Sequence, residues 1–160
     1  IFDIKDYIMN IIDYFKLQAK NLHRDFKTKT LVFDESINDY LNEYSPKYYD
    51  IDQIVLDFNL NEKTFSLMNA QHVIAELAGF DKWNSLINAS EPELELSKLL
   101  FENQHLIDLY SWNDYIVYSE SLSQIEFDAE TRLEIFKQVV LEDNIFNLVI
   151  DGYLLNNRIE

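Results

Sequence analysis

The sequence predicts an all-α fold, a multi-helix domain of about seven or eight helices with a less regular segment over residues 31–64. Three observations predict it. Glycine and proline together number four in 160 residues, far fewer chain breakers than a turn-rich β architecture needs. Apolar residues recur at three- and four-residue intervals through much of the chain, the period of a helix with one buried face. Serine followed three residues later by an acid marks several helix starts. An apolar fraction of 48% supports a real core, since a chain of this length buries roughly 70% of its unfolded surface. One domain over 1–160 is expected, with 1–90 and 91–160 as candidate sublobes.

The first apolar stripe is Ile4, Ile8, Ile11, Ile12, Phe15, Ala19, Leu22 and Phe26, so residues 3–28 read as one long helix or two stacked ones. After KTKT the pattern loosens. A short helix is expected over 35–44, ended at Ser45-Pro46 because the residue before proline is pushed out of the α region. Residues 51–58 fit a short helix and a strand equally, QIVLDF having the composition of either.

MNAQHVIAELAGFDKWNSLINA, residues 68–89, predicts a helix over about 66–78 and a left-handed cap at Gly79. A second helix then starts at Asp81, whose side chain accepts from first-turn amides. Ser90 and Glu93 stand in capping-box spacing with Pro92 in the first turn, predicting a helix over 91–104. Ser111 and Asp114 repeat that spacing. Leu133, Phe136, Val140 and Leu141 fall on one side of a helix over 128–141, and a short helix near 144–155 completes the core.

Charge excludes more than it identifies. The net charge is −16, and no apolar run approaches the roughly 20 residues that cross a bilayer. Residues 91–160 hold 15 acidic and four basic residues, whereas 1–90 hold 14 and nine. Against that trend, Lys16, Lys20 and Arg24 are spaced by four and form one stripe on a helix. They complement a helix C-terminus, or they dock an acidic surface of a partner or of the chain's own second half. With no cysteine, disulfides, thiolate zinc sites and cysteine nucleophiles are excluded. No signal peptide is visible, so the cytoplasm is the expected compartment.

Catalytic patterns are weak. His23, His72 and His105 are expected on three different helices, without the local His-x-x-x-His or Glu-x-x-His spacing of helical metal sites. Carboxylate pairs abound by chance among 29 acids, and there is no phosphate-cradling glycine loop or nucleophile elbow. The expectation is a protein that is not an enzyme and that carries no cofactor or metal. Tyrosines cluster at Tyr40, Tyr44, Tyr48 and Tyr49 and again at Tyr110, Tyr115 and Tyr118. Such side chains serve interfaces or the rims of helical cores, and an interface role predicts that Tyr48 and Tyr49 are exposed.

Residues 68–89 also have helix-turn-helix spacing, with Ala75 four positions before Gly79 and Leu86 near the apolar anchor of the second helix. The second helix offers only Lys82 as a cation, which with the net charge argues against nucleic acid, because phosphate attraction supplies most non-specific affinity. AKNLHRDFKTKT, residues 19–30, and FSLMNAQHVIAELAGFDKWNSLINA, residues 65–89, resemble a small bacterial helical module found in proteins assigned as related to the glyoxalase superfamily. The resemblance rests on Ala75, Gly79, Phe80, Trp83 and Leu86, with Ala19, Leu22 and Lys27 upstream. It implies helices packed through Phe80, Trp83 and Leu86 and a bacterial origin, and no glyoxalase chemistry.

Three functional classes follow. The favoured one is a small acidic interaction protein, regulatory, antitoxin-like or immunity-like, whose negative face docks on a partner protein with a basic surface. Lys16, Lys20, Arg24, Tyr48 and Tyr49 are its candidate partner-binding residues. The alternatives are a nucleic-acid-binding regulator using 68–89, and a small-molecule binder or enzyme with a pocket between helices.

Overall fold

A computed structural model describes residues 3–158. Among them the fold is mainly α, with seven α-helices and one small antiparallel sheet. The all-α expectation is corrected to that extent.

Helix α1, Ile4–Phe26, is one continuous helix capped by the Asp3 carboxylate on the Lys5 amide. Its stripe of Ile11, Phe15, Ala19, Leu22 and Phe26 is buried. The helix expected over 35–44 is instead a hairpin of β1, Thr30–Asp34, and β2, Asp39–Glu43, with Val32 opposite Leu41. Leu31, Val32 and Phe33 are strand formers, and Asn38 takes a left-handed backbone with φ 52° in the connecting turn, which breaks a helix. The ambiguous 51–58 segment resolves as helix α2, Ile51–Phe58, started by Asp50 accepting from the Gln53 amide and stopped by left-handed Asn59.

Helix α3, Leu67–Leu77, begins at Ser66, where the Asn69 side chain accepts from the Ser66 amide at 2.9 Å. It ends with the Gly79 amide on the Glu76 carbonyl and the Phe80 amide on the Ala75 carbonyl, at 3.0 and 2.9 Å. These are the paired bonds of a Schellman cap, and Gly79 supplies its positive φ of 93°. Helix α4, Trp83–Ile87, starts two residues later than expected. Asp81 accepts from the Ser85 hydroxyl rather than from first-turn amides.

Helix α5, Glu91–Glu102, starts as read, with the Glu93 carboxylate accepting from the Ser90 amide at 2.7 Å. Helix α6, Leu109–Ser123, is capped by Asp108 on the Ser111 amide, so Ser111 lies inside the first turn instead of preceding it. Helix α7, Ala129–Phe136, is capped by Asp128 and continues as a π-helical turn over Lys137–Glu142. That widened turn leaves Leu141 exposed while Leu133, Phe136 and Val140 stay buried. The helix expected over 144–155 does not form. Asn144, Asn147 and Gly152 all have positive φ, and the segment runs as an irregular strap ending in a 3-10 turn, Leu155–Asn157.

Two hydrophobic clusters make the core. The first gathers α1, α2, α3 and α4, and the second α6 and α7 with the π turn. Helix α5 serves both, giving Leu94 and Phe101 to the first and Leu96 and Leu100 to the second. Leu154 returns to the first cluster.

One buried carboxylate organises the first cluster. Asp25, 2% exposed in the last turn of α1, accepts from the backbone amides of Lys47 (2.9 Å), Tyr48 (2.8 Å) and Tyr49 (2.8 Å). Thr28 extends the joint by donating to the Asp25 carbonyl and accepting from the Ser45 amide. The hairpin is thus fixed at its base, and the chain re-enters the core at Tyr49.

Two substitutions test these joints. Asp25→Ala strands three amides and is expected to destabilise the protein by roughly 3 kcal/mol or more, read from the urea midpoint; a loss under about 1 kcal/mol would contradict the joint. At Gly79 a Cβ would find ordinary contacts, 3.7 Å from Leu109 and 3.8 Å from Leu100, so the penalty is in the backbone. Gly79→Val is expected to cost more than about 1 kcal/mol in the same assay.

Candidate functional site: an acidic cleft and a projecting arm

A cleft of about 670 Å³ lies where the two clusters meet. That volume is in the range of small-ligand sites, which favour such junctions. Its floor is apolar, made by Phe58, Leu77, Leu100, Ile107 and Leu109. Its walls carry five carboxylates, Asp50, Asp57, Glu76, Asp108 and Asp151, and one cation, Arg158.

Several elements deliver these groups. Helix α2 presents Asp57, which accepts from Gln53 Nε2 at 2.8 Å and from the Tyr153 hydroxyl at 2.6 Å. Glu76, near the end of α3, pairs with His72 at 2.7 Å, one helical turn away. Asp108 caps α6, and Asp151 sits exposed on the strap.

The strap is anchored to the segment that Asp25 grips. The Asp50 amide donates to the Tyr153 carbonyl and the Leu155 amide to the Tyr48 carbonyl, both at 2.9 Å. Arg158 meets Asp50 at 2.6 Å and donates to the Gly152 carbonyl at 3.1 Å. Gly152 lies so close to Gln104 that an added Cβ would come within 3.0 Å of the Gln104 Cβ. Gln104 accepts from the Tyr153 amide at 3.0 Å, and its Nε2 is buried without a partner.

The hairpin is the second feature. Leu31, Val32, Phe33, Ile37, Tyr40 and Leu41 are all exposed, and beyond their mutual pairing neither strand makes an extensive contact with another described element. Residues 30–43 carry four acids, Asp34, Glu35, Asp39 and Glu43, and no basic residue. The result is an apolar, acidic arm on a fixed base.

The residues singled out from sequence scatter. Lys16, Lys20 and Arg24 are exposed on α1 and form no ion pair among the described residues, so they do not dock on the chain's own second half. The expected exposure of Tyr49 is corrected: its ring is fully buried and its hydroxyl donates to Gln18 at 2.6 Å. Tyr48 is half-buried with Lys47 over its ring. Ala75 and Leu86 are buried, Phe80 and Trp83 pack against the same cluster, and Gly79 caps α3. Helix α4 has five residues, barely more than one turn, which is short for a helix laid in a groove of DNA.

The histidines stand apart, His23 on α1, His72 on α3 and His105 in the turn after α5 rather than on a helix. Among the described residues no three His, Cys, Asp or Glu side chains converge as a metal site. A smaller cavity of about 240 Å³ lies between His23, Lys27, Lys29 and Lys63 over the stacked rings of Phe26 and Phe65. Burial and then the charge of Lys27 lower the His23 pKa. Sequence reasoning allowed for a pocket between helices without naming the residues that line this cleft, and it missed the arm and Asp25 as a joint.

No protein-family model, curated protein or solved structure matches the chain.

Burial, followed by the bond to Asp57, raises the Tyr153 phenol well above its ordinary value of 10.0. Burial and then Glu62 do the same to Tyr44, whose hydroxyl donates to that carboxylate at 2.7 Å. A phenol raised by folding stabilises fully below the unfolded value and loses that contribution as pH climbs towards the folded one. Urea stability is therefore expected to decline above about pH 10. Tyr153→Phe should make the decline shallower, and an unchanged slope would remove Tyr153 from the linkage.

Proposed function

We propose that the protein is a small acidic interaction protein, regulatory, antitoxin-like or immunity-like, that acts by binding and not by catalysis. It docks through the hairpin arm on a partner protein whose surface is both apolar and basic. The observation that supports this is the arm itself: six exposed apolar side chains and four acids on a two-stranded unit that makes no extensive contact with another described element. A lone hairpin is marginal in water and gains stability from a third strand or a packed face, and its open edges accept a partner strand. The lack of any basic residue over 30–43 disfavours pairing with the same arm of a second copy and favours a cationic partner.

The rest of the surface supports the same reading. All four basic residues of 91–160 are engaged internally, Lys98 with Glu102, Arg132 with Glu120, Lys137 with Glu95 and Glu134, and Arg158 with Asp50. The surplus acids therefore face outward and steer a basic partner at long range. Lys16, Lys20 and Arg24 form a separate exposed stripe, open to an acidic portion of that partner. No described helix is long and apolar enough to cross a membrane, and we assign the protein to the bacterial cytoplasm. Within this proposal the resemblance over 19–30 and 65–89 concerns packing alone and implies no chemistry.

A photo-crosslinker at position 33 or 40 identifies the partner, and a separate Leu31→Ser, Phe33→Ser, Tyr40→Ser variant without the crosslinker tests the arm. Exposed apolar-to-serine changes should leave folding stability within about 1 kcal/mol. They should weaken capture of the crosslinked partner at least about 10-fold, and that partner should be basic and released by moderate salt. Equal capture by the variant, or crosslinks to acidic proteins alone, would overturn the reading.

A further inference from the structure

The cleft is independent of the arm, and its chemistry is specific. Of its five carboxylates, two already have a basic partner: Asp50 holds Arg158 at 2.6 Å and Glu76 meets His72 at 2.7 Å. The other three do not. Asp57 accepts from neutral donors only, Gln53 and Tyr153, and hydrogen bonds from neutral groups leave its charge in place. Asp108 accepts from the amide and hydroxyl of Ser111, again neutral donors. Asp151 is exposed and has no partner among the described residues. Three uncompensated negative charges from α2, the turn before α6 and the strap thus surround one apolar floor.

A second feature of the wall points to an occupant. Gln104 is 8% exposed and lines the cleft. Its Oε1 is taken by the Tyr153 amide, while its Nε2 has no acceptor. Arg158, on the same wall, also keeps an unpartnered Nε. A buried donor without an acceptor is costly, and the residues that carry these two, Gln104 and Arg158, both line the cleft.

We infer that the cleft binds an organic cation, an ammonium or guanidinium on an aliphatic stem that also carries a carbonyl or hydroxyl oxygen. The stem lies on Phe58 and Leu109, the floor residues that stay partly exposed. The cationic head reaches the carboxylates of Asp57, Asp108 and Asp151, and the oxygen accepts from Gln104. A lysine or arginine residue of a peptide has all three parts, and a free polyamine has the first two. Apolar floor with carboxylate rim suits such amphipathic side chains, which bury their methylenes and keep their charge at the edge.

The full chain is titrated by NMR with N-acetyl-arginine amide, N-acetyl-lysine amide, spermidine and, as the uncharged control, N-acetyl-leucine amide. Shifts are expected at the methyls of Leu100, Ile107 and Leu109 and at the Gln104 side-chain amide, saturating at about 1 mM or below for at least one cation and absent for the control. Tighter binding of the amino acid amides than of spermidine is expected, and tighter binding of spermidine, which has no oxygen for Gln104, would overturn the inference. The variant Asp108→Asn, Asp151→Asn removes two charges, keeps a capping oxygen for α6 and should weaken binding at least about 10-fold. Asp57→Asn, which leaves α6 and the strap unaltered, should weaken it as well. No saturable shift with any cation, shifts spread over the acidic surface instead of the cleft, or unchanged affinity in both folded variants would overturn the inference.

Discussion

Asp25 holds together parts of the chain that the sequence keeps far apart. Its carboxylate closes on three consecutive amides, Lys47, Tyr48 and Tyr49, a segment more than 20 positions downstream. A carboxylate is an acceptor with two oxygens and several lone pairs, so one side chain replaces the ladder partners that an extended segment otherwise lacks. With that segment fixed, its outer side remains able to pair, and the strap uses it through the Tyr48 carbonyl and the Asp50 amide. The far wall of the cleft therefore hangs on a carboxylate at the end of the first helix. The arm hangs on it too, since the hairpin leaves α1 just after Asp25 and returns at the gripped residues.

Local signals were legible and long-range ones were not. Helix α1 declared itself by period, and α5 by Ser90, Pro92 and Glu93, because those determinants lie within a turn or two of each other. The hairpin escaped because Leu31, Val32 and Phe33 are all exposed, so no inward-outward alternation separates strand from helix. The break was expected at Ser45-Pro46 and falls instead at Asn38, whose left-handed backbone composition alone does not announce. The strap misled in the opposite way. Its apolar residues resemble a helix face, yet Asn144, Asn147 and Gly152 reverse the chain locally, and its long-range hydrogen-bond partners sit from 49 to 108 positions upstream.

Tyr48 and Tyr49 show the same limit at the scale of one residue. Adjacent side chains in an extended segment point to opposite sides, so one tyrosine is half-buried at the rim while the other fills the core and meets Gln18. Composition cannot tell which is which; the direction of the Asp25 grip does. The cleft was illegible for a related reason. The bond from Tyr153 to Asp57 spans 96 positions, and no spacing rule operates over that distance. Gly79 lies at the other extreme: Ala75, Glu76 and Phe80 supply everything its cap requires, and a window of six residues suffices to read it.

The two candidate surfaces differ in the physics that would fill them. The arm offers apolar area at the edge of a sheet, where association draws on burial and main-chain pairing together with flanking charge that salt screens. The cleft offers several exposed carboxylates beside an apolar floor, where a cation meets more than one negative charge at once. Net charge treats both alike, which is why −16 by itself says little about recognition. What distinguishes them is compensation. In the second half of the chain every cation is already matched by a carboxylate, so the remaining acids are surplus to the fold. Where that surplus converges on an apolar floor, as with Asp57, Asp108 and Asp151, it becomes selective; where it flanks exposed strands, as with Asp34, Glu35, Asp39 and Glu43, it sets which partners approach.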